Sequence, residues 1–575
     1  MTIPRATEWD DRHAEPRSGS PSQAPATVRH PHSDRPPETD RVATRRRIPL
    51  SEAESAAVDH ACATLAVTPP AFFAACTTAA VARHTGESTV VLGVRHAAGT
   101  LPLNVEITAD AAFSDVLAEI AAVPAGAGFT ATLPVWGGMS EVSLDVSLVS
   151  GCWMFALEHD LALVPEPVAE GFAGSVREAV LRAVAEPRSP IADLFTDAPD
   201  RPSRGGDGHW RRPPVGGLDG WVRRTADICA DRVAIEEGGS RTSYRQLASI
   251  VRAVAAGLRS HGVRPRQVVG LATTTLTETV IAMLAVLRVG ARYLPLTADV
   301  PAERLADVNC VLVIGDEPVP GVLVVTPDEL LGPVEPQEPY RPSGSGGYVE
   351  FTADGTVVDM GEGPLFNLTA WQVAALDLGR DSRVLRREPL SFQEIVPVLV
   401  AGGTVVAGDG RDVTHLHLPA SELPALVDAD LGALTHLCLS GGPLAADAPV
   451  EKFLAAHPDV RLVIMYGTPE TQTAVTHRPS QADAGGHVPL GRPITGVTAQ
   501  VIDCFGHLAP PGVPGELVLG GRCPADGYVG DDERTSARFV PDPYGGPNAR
   551  RFRTGDRVMW APDGTLSFLG RKPES

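Results

Sequence analysis

The sequence predicts an α/β protein whose second half contains a doubly wound, mostly parallel sheet followed by a small β subdomain. Short apolar segments typical of buried strands alternate with longer helical patterns. The helical pattern at 276–289 begins at a capping box, Thr275 with Glu278, and stops at Gly290. From Val497 onward the pattern changes to short strands and turns. Strands separated by helices indicate parallel pairing, because a parallel connection needs a crossover.

Composition excludes several classes of function. The chain has 575 residues and a formal net charge of −21, so we expect no nucleic-acid partner, because phosphate contacts need clustered cations. No apolar run approaches the roughly 18 residues of a membrane span, and we expect no membrane association. The eight cysteines form no CxxC pair, which indicates neither a zinc site nor a disulfide framework. These features predict a cytoplasmic protein.

Four regions are predicted along the chain. Residues 1–47 are rich in proline and poor in large apolar residues, and we expect a disordered tail. Residues 48–196 are expected to fold, a Pro- and Gly-rich linker follows at 197–218, and the second unit covers 219–575. Periodicity in the first unit predicts helices at 71–82, 113–120 and 168–184. It predicts strands at 89–94, 101–107 and 142–149.

Short runs of apolar and β-branched residues predict strands in the second unit. They lie at 268–271, 311–314, 322–325, 348–351, 404–406, 435–439 and 462–465. One more helix is predicted at 247–258 by apolar residues on a single face.

An ordered series of short motifs covers about 220 to 571. The motifs are RTSYRQL (241–247), LRVGARYLPLTADVPAERL (287–305), SGGPL (440–444), YGTPET (466–471), GELVLGG (515–521), ADGYVG (525–530), FRTGD (552–556) and LGR (569–571). In order and spacing the series resembles the adenylation domain of non-ribosomal peptide synthetases, within the adenylate-forming ligase superfamily. The resemblance implies the N-terminal core of that fold. Since the chain stops where the mobile C-terminal lid would begin, we expect the lid to be absent.

The first unit carries a less specific resemblance. The segments at 67–94 and 101–120 are similar to the C-terminal lobe of a condensation domain, which implies half of a chloramphenicol acetyltransferase-like fold. The histidine pair on which condensation depends is missing from the sequence. We therefore expect no peptide-bond formation.

The resemblance implies a nucleotide site in the second unit. It assigns Tyr466 to stacking on adenine, Asp556 to the ribose hydroxyls and Glu470 to Mg²⁺. Further positions that match the nucleotide-binding motifs are Gly441, Gly442, Gly467, Thr468 and Arg571. Thr468 and Pro469 are exchanged relative to the family order, which displaces a hydroxyl expected at the phosphates. The alternative is that these residues only hold loops together.

The family's phosphate loop corresponds to residues 348–361. Four residue types of that loop remain here, namely Thr352, Gly355, Thr356 and Gly361. Met360 stands at the position of the family's lysine, and Asp354 and Asp359 add two carboxylates. At about 5 Å and an effective dielectric near 20, each carboxylate would repel a phosphate by on the order of 3 kcal/mol. We expect a loop that repels triphosphate, or a rerouted loop whose acids point into solvent.

Neither lysine of the chain matches a catalytic one. Lys452 and Lys572 are the two lysines, and Lys572 lies next to the end of the sequence. The substrate pocket has changed as well. Phe392 and Gln393 align with the segment whose aspartate pairs with an amino acid's ammonium group, and a neutral amide is a poor replacement for that carboxylate. Glu394 is the alternative carboxylate.

Two smaller motifs are given bland interpretations. Gly137–Ser140 fits the GGxS pattern of a carrier-protein serine, but it lacks that domain's flanking sequence, and we expect an ordinary turn without phosphopantetheine. His415 and His417 alternate along a predicted strand without a third ligand, so a surface pair is expected rather than a metal site.

Two functions follow from the resemblance. The first is a non-catalytic pseudoenzyme that serves as an interaction or scaffolding subunit in peptide natural-product biosynthesis, with weak or absent binding of ATP or AMP and Mg²⁺. Its implied partners are other peptide synthetase subunits, a carrier protein and an MbtH-like protein. The alternative is an active acid–AMP ligase that takes a carboxylic acid and receives its lid from a partner. A decayed remnant without a role is the third interpretation.

Overall fold

The computed structural model describes residues 43–571 except for internal gaps. The gaps lie at 97–98, 123–127, 136–137, 161–163, 165, 197–202, 205–215, 297–302, 332–345, 353, 387–391, 409–411, 442–447 and 481–487. The predicted tail at 1–42, most of the predicted linker, Gly137, Gly442 and Lys572 lie outside the described residues.

The first unit is an antiparallel six-stranded sheet packed against helices. Its strands are β1 (Ala43–Pro49), β2 (Thr89–His96), β3 (Gly99–Glu106), β4 (Gly128–Val135), β5 (Gly138–Val149) and β6 (Cys152–Asp160), in the order β1-β6-β5-β4-β2-β3. Its helices are α1 (Glu52–Leu65), α2 (Pro69–Thr85), α3 (Phe113–Ala121) and α4 (Glu166–Ala185). The predicted helices and strands of this unit are confirmed. Helix α2 starts at the N-cap Thr68, stops at Gly86 with φ of 72°, and is buried over most of its length.

The first strand corrects the predicted tail. Residues 43–47 belong to β1, which pairs with β6 so that Arg45 lies opposite Glu158. The arginines of this segment are not simply solvated, because Arg46 donates to Glu166 and Glu170 of α4 at 2.6 and 2.7 Å. Backbone pairing with β6 and ion pairs with α4 order this segment. Composition alone does not reveal either interaction.

The second unit follows through a short strand in the predicted linker. Its strands are β7 (Ser203–Arg204), β8 (Val233–Glu237), β9 (Ser240–Ser243), β10 (Val268–Ala272), β11 (Arg292–Pro295), β12 (Cys310–Gly315), β13 (Val324–Val325), β14 (Gly347–Phe351), β15 (Val357–Gly361), β16 (Arg383–Leu385), β17 (Thr404–Ala407), β18 (His415–Pro419), β19 (His436–Ser440), β20 (Arg461–Thr468), β21 (Gln472–His477), β22 (Arg492–Pro493), β23 (Val497–Ile502), β24 (Gly515–Gly521), β25 (Gly527–Tyr528), β26 (Phe539–Pro541), β27 (Arg550–Trp560) and β28 (Leu566–Arg571). Its helices are α5 (Gly217–Ile228), α6 (Tyr244–Ser260), α7 (Leu276–Val289), α8 (Arg304–Asp307), α9 (Glu362–Ala375), α10 (Val396–Ala401), α11 (Ala448–Ala456) and α12 (Asp532–Arg538).

Two mixed sheets form the body of this unit and confirm the predicted doubly wound class. One has the order β13-β12-β10-β11-β14-β15-β25, and its pairs from β13 to β14 are parallel. The other has the order β22-β21-β20-β19-β18-β16-β17-β8-β9, with parallel pairs from β20 to β8. Helix α7 spans the predicted residues, and Gly290 caps it with φ of 81°; of the predicted capping box, the structure shows the Thr275 side chain accepting from the N–H of Glu278.

The predicted β subdomain is also present. The order β26-β27-β24-β23-β7, with β28 on β27, is antiparallel throughout. Strand β7 pairs with β23, so the predicted linker contributes to this sheet.

A buried ion pair joins the two units. Arg83 of α2 donates from Nε to Asp503, which follows β23, at 2.8 Å, and both side chains are 0% exposed. Arg83 also reaches Glu178 of α4 at 3.0 Å. The rings of Phe195 and Phe505 stack beside it with centroids 5.5 Å apart. The first unit therefore packs directly against the β subdomain.

Among the described residues, no single helix is long and apolar enough to cross a membrane. Only the pair α1 and α2, counted together across a bend of 101°, reaches the required length and composition.

Candidate functional site

The segment predicted to bind phosphates is a tight β-hairpin. Strands β14 and β15 pair directly, with Phe351 opposite Val357, and the described residues between them are Thr352 and 354–356. The N–H of Thr352 donates to the carbonyl of Thr356, and the N–H of Gly355 donates to the carbonyl of Thr352, both at 2.8 Å. Gly355 has φ of 80°, which a turn of this kind needs. These backbone donors are used inside the turn.

The other predicted residues of this segment lie away from the turn. Met360 is 0% exposed and belongs to the apolar core, so the lysine expected here by resemblance would be buried in a strand. Gly361 lies at the far end of β15, where it is the N-cap of α9. The structure therefore brings together Thr352, Gly355 and Thr356, and it separates Gly361 from them.

The two extra carboxylates are paired with arginines, which corrects the expected repulsion. Asp354 accepts a hydrogen bond from Arg534 of α12. Asp359 accepts from Nε of Arg292 at 2.5 Å, and Arg292 also donates to Asp526 at 2.7 Å. Neither acid presents an uncompensated charge, and neither simply points into solvent. The expectation failed because the arginines are distant in sequence and follow no local pattern.

Asp354 is held by its own turn as well. It accepts from the hydroxyl of Thr352 and, at 3.2 Å, from the N–H of Thr356. These hydrogen bonds, with that from Arg534, hold the pKa of Asp354 well below its ordinary value. Asp354 is therefore ionised at neutral pH.

Tyr466 and Asp556, which the resemblance assigns to the nucleoside, lie in contact with each other. The phenol of Tyr466 donates to Asp556 at 2.5 Å, and Nε of Arg571 lies 3.7 Å from the other carboxylate oxygen. Burial raises the pKa of Asp556 and raises that of Tyr466 well above its ordinary value. Both carboxylate oxygens of Asp556, the residue predicted to bind the ribose, thus face donor groups of the chain itself.

Glu470 lies beside a carboxylate that sequence reasoning missed. Tyr528 donates to Glu470 at 2.8 Å. Glu350, Val358 and Tyr528 are opposite one another across β14, β15 and β25, which places Glu350 on the same face as Tyr528. Burial, and secondly Glu470, raises the pKa of Glu350 to about 7. An acid inside the apolar strand Tyr348–Phe351 was the available signal.

Gln393 contacts the start of β21, shortly after Glu470 in sequence. Its amide nitrogen donates to Gln472 at 3.2 Å, and its oxygen accepts from Thr473 at 2.8 Å. The preceding Phe392 is buried in the core, and Glu394 is buried as well. Gln393 thus links its 3-10 turn to β21.

The remaining glycine and threonine positions shape loops. A Cβ atom on Gly467 would lie 1.6 Å from the carbonyl oxygen of Gln472, so only glycine fits there. The N–H of Thr468 donates to the hydroxyl of Thr471 at 3.2 Å. Gly441 follows β19 with φ of 82°.

The histidines of β18 do not form the expected surface pair. His415 is 3% exposed and its ring stacks on His436 at 4.6 Å. Burial lowers the pKa of His415, and it lowers that of His417 to about 4. The described residues include no group of three or more potential ligands around one metal position.

Comparison with known proteins identifies the family of the second unit. The model of the family described as "AMP-binding enzyme" matches residues 222–317 and 389–529. The matched residues of the second unit are thus similar to that family, which supports the predicted adenylate-forming fold. The unmatched stretch between the two segments, 318–388, contains the β14–β15 hairpin.

Several similar curated proteins are peptide synthetases. Phosphinothricin tripeptide synthetase PhsB of Streptomyces viridochromogenes is 33% identical over 401 residues, which are 62% of this chain and 33% of that protein. The AMB antimetabolite synthetase AmbB of Pseudomonas aeruginosa is 33% identical over 59% of this chain and 30% of its own length. A probable non-canonical synthetase of Salinispora arenicola, CymA, is 30% identical over 77% of this chain and 6% of its own. The chain thus spans a third or less of these relatives.

Solved structures of such synthetases share the fold. The synthetase FmoA3 superposes with a TM-score of 0.75 at 21% identity, over 92% of this chain and 68% of its own. A protein containing adenylation and PCP domains superposes with a TM-score of 0.58 at 28% identity, over 62% of this chain and 79% of its own. The adenylation-type core is therefore shared with peptide synthetases, and the FmoA3 fold extends over the first unit.

Proposed function

We propose that this chain is a non-catalytic relative of peptide synthetase adenylation domains that acts as an interaction subunit. The observation that carries the proposal is the hairpin turn 352–356. Adenylation joins a carboxylate to the α-phosphate of ATP, so the site must supply positive charge and backbone donors. In this turn the donors are bonded to the turn itself and to Asp354, and Asp354 takes the nearest arginine, Arg534.

The nucleoside end of the site supports weak binding of ATP or AMP. A structure of FmoA3 is described as bound to AMPPNP. In this chain, Tyr466 and Asp556 lie together as that chemistry requires, but a ribose must compete with the phenol of Tyr466 for the carboxylate. Glu470 and Glu350 offer carboxylates for Mg²⁺, although burial raises the pKa of Glu350 to about 7, which disfavours its charged form. We expect little gain in affinity from the phosphates.

The first unit supports an interaction role. We assign it, with the boundaries 48–196, as the C-terminal lobe of a condensation domain without condensation activity. The buried Arg83–Asp503 pair fixes it to the second unit, so both present one composite surface. Cytoplasmic synthetase modules, their carrier proteins and an MbtH-like protein are the proposed partners, because the curated relatives are named as peptide synthetases and this chain covers only 33% and 7% of two of them.

ATP–pyrophosphate exchange tests the absence of catalysis. The purified chain is assayed at high concentration with a panel of amino acids and other carboxylic acids, beside an active adenylation domain. We expect no exchange above the rate without acid. Robust exchange with any acid would overturn the proposal. Titration with a purified carrier protein by calorimetry tests the interaction role, which predicts binding in the absence of ATP.

Acid–AMP ligation is the second candidate function. It is favoured by Gln393, whose neutral amide would accept an acid without an ammonium group, and by the Tyr466–Asp556 pair. The exchange panel therefore includes aryl acids and keto acids beside amino acids. Exchange limited to acids without an ammonium group is the result that this candidate predicts.

A further inference from the structure

The hydrogen bonds around Asp354 are those that a phosphate group would receive. Its Oδ1 accepts from a threonine hydroxyl, Thr352, and from a backbone N–H, that of Thr356. Its Oδ2 accepts from the guanidinium of Arg534. A hydroxyl, a backbone N–H in a tight turn and an arginine are a typical donor set for phosphate oxygens. Here the anion belongs to the chain.

Contacts with residues other than Asp354 also position the turn and its arginines. Arg534 lies over the ring of Tyr528 at 5.2 Å, and Tyr528 is anchored to Glu470. On the other side of the turn, Arg304 lies over the ring of Phe351 at 4.8 Å and donates to the carbonyl of Gly355. Two arginines, Arg304 and Arg534, therefore contact the turn, and each also packs over an aromatic ring.

The ion pair is also open to solvent. The side chains of Arg534 and Asp354 are 36% and 49% exposed. An external anion can therefore reach the place of the carboxylate without opening the core. Exposure also means that removing the pair should cost little stability, since water solvates the partner that remains.

We propose that Asp354 is an internal anion occupying a phosphate-binding turn, and that a neutral residue there creates a site for pyrophosphate or nucleotide phosphates. The site consists of the hydroxyl of Thr352, the N–H of Thr356 and the guanidinium of Arg534; Arg304 lies nearby but is paired with Asp307 at 2.8 Å. The inference rests on the proposed function, because it explains how the phosphate end of the site is closed.

The test compares pyrophosphate binding, measured by calorimetry, in the wild type, Asp354→Gly and Asp354→Asn. We expect at least tenfold tighter binding in Asp354→Gly, and a smaller gain in Asp354→Asn, whose amide keeps part of the space filled. Adding Arg534→Met to Asp354→Gly should abolish the gain. Asp381→Gly is the matched control, because Asp381 is an exposed aspartate that pairs with Arg232 at 2.8 Å.

Each outcome decides the inference. Equal pyrophosphate affinity in the wild type and both Asp354 variants, with unchanged melting temperatures, would overturn it. An equal gain in Asp381→Gly would also overturn it, because the effect would then be one of net charge. If Asp354→Gly does not fold, Asp354→Asn decides alone. Exchange activity of the wild type would overturn the proposed function and leave this comparison unaffected.

Discussion

Two arginine–aspartate pairs in this molecule differ mainly in burial. Arg83 and Asp503, at the joint between the two units, are both 0% exposed, whereas Arg534 and Asp354, at the hairpin turn, are 36% and 49% exposed. Removing one partner of a buried pair leaves an uncompensated charge in a medium that solvates it poorly. Removing one partner of an exposed pair returns the other to water. The buried pair thus governs stability, and the exposed pair governs the charge that a ligand meets.

The largest effect is expected at the joint. Arg83→Met leaves Asp503 buried with the N–H groups of Phe505 and His507 as its remaining donors. We expect a loss of about 3–5 kcal/mol of unfolding free energy, measured by urea denaturation. The double variant Arg83→Met with Asp503→Leu should recover much of it. A loss below about 1 kcal/mol in Arg83→Met would break the comparison.

Burial of a new charge should be costly in the same way. Met360→Lys restores the family's residue type by sequence position, but Met360 is 0% exposed in the apolar core. We expect a loss of several kcal/mol and no gain in exchange activity, because the ammonium cannot reach the turn. Met360→Leu is the control, with an expected cost below about 1.5 kcal/mol. A stable, active Met360→Lys variant would show that β15 is wrongly placed at the site.

Glu350 is a half-buried carboxyl in β14, and the loss of its hydration on folding should appear as a pH dependence of stability. Its pKa is raised from 4.5 to about 7, so the unfolded chain releases this proton at lower pH than the folded chain does. The unfolding free energy should therefore fall as pH rises from 4.5 through about 7. Measured in metal-free buffer, Glu350→Gln should flatten this slope, and Asp381→Asn should not. An unchanged slope in Glu350→Gln would contradict the assignment.

The smallest effect is expected at the turn. Arg534→Met should cost about 1 kcal/mol or less, because the pair with Asp354 is half exposed. The lowered pKa of Asp354 means that its stabilising contribution is present above the ordinary value of 3.8 and is lost as pH falls below it. The melting temperatures of Arg534→Met and the wild type are compared at pH 7 and at pH 3. The difference between the two proteins should be smaller at pH 3. A cost above about 2 kcal/mol would erase the distinction between the two pairs.

Local patterns predicted most of the fold. Helix α7 was visible from its cap and its terminal glycine, and seven strands of the two mixed sheets from their apolar runs, whereas β8, β11 and β16 were not predicted. Strand β1 was missed because Arg45 and Arg46 are ordered by partners that lie 100 and 120 residues away in sequence. Its polar sequence carries no strand signal of its own.

The site was less predictable than the fold, because its contacts also join residues that are distant in sequence. The resemblance assigned both Tyr466 and Asp556 to the nucleotide site, and in the structure these two residues are in contact. A gapless comparison placed Met360 at the phosphates, whereas antiparallel pairing with Tyr348 puts it in the core. The charge of the turn depends on Arg534, which is 180 residues from Asp354 in sequence.

The relative affinity of ATP and AMP tests the central claim most directly. If the phosphate end of the site is closed by its own carboxylate and its own turn, calorimetry in the presence of Mg²⁺ should give similar affinities for the two nucleotides, or no binding of either. Asp354→Gly should then favour ATP. Binding of ATP to the wild type at least tenfold tighter than AMP would contradict the account.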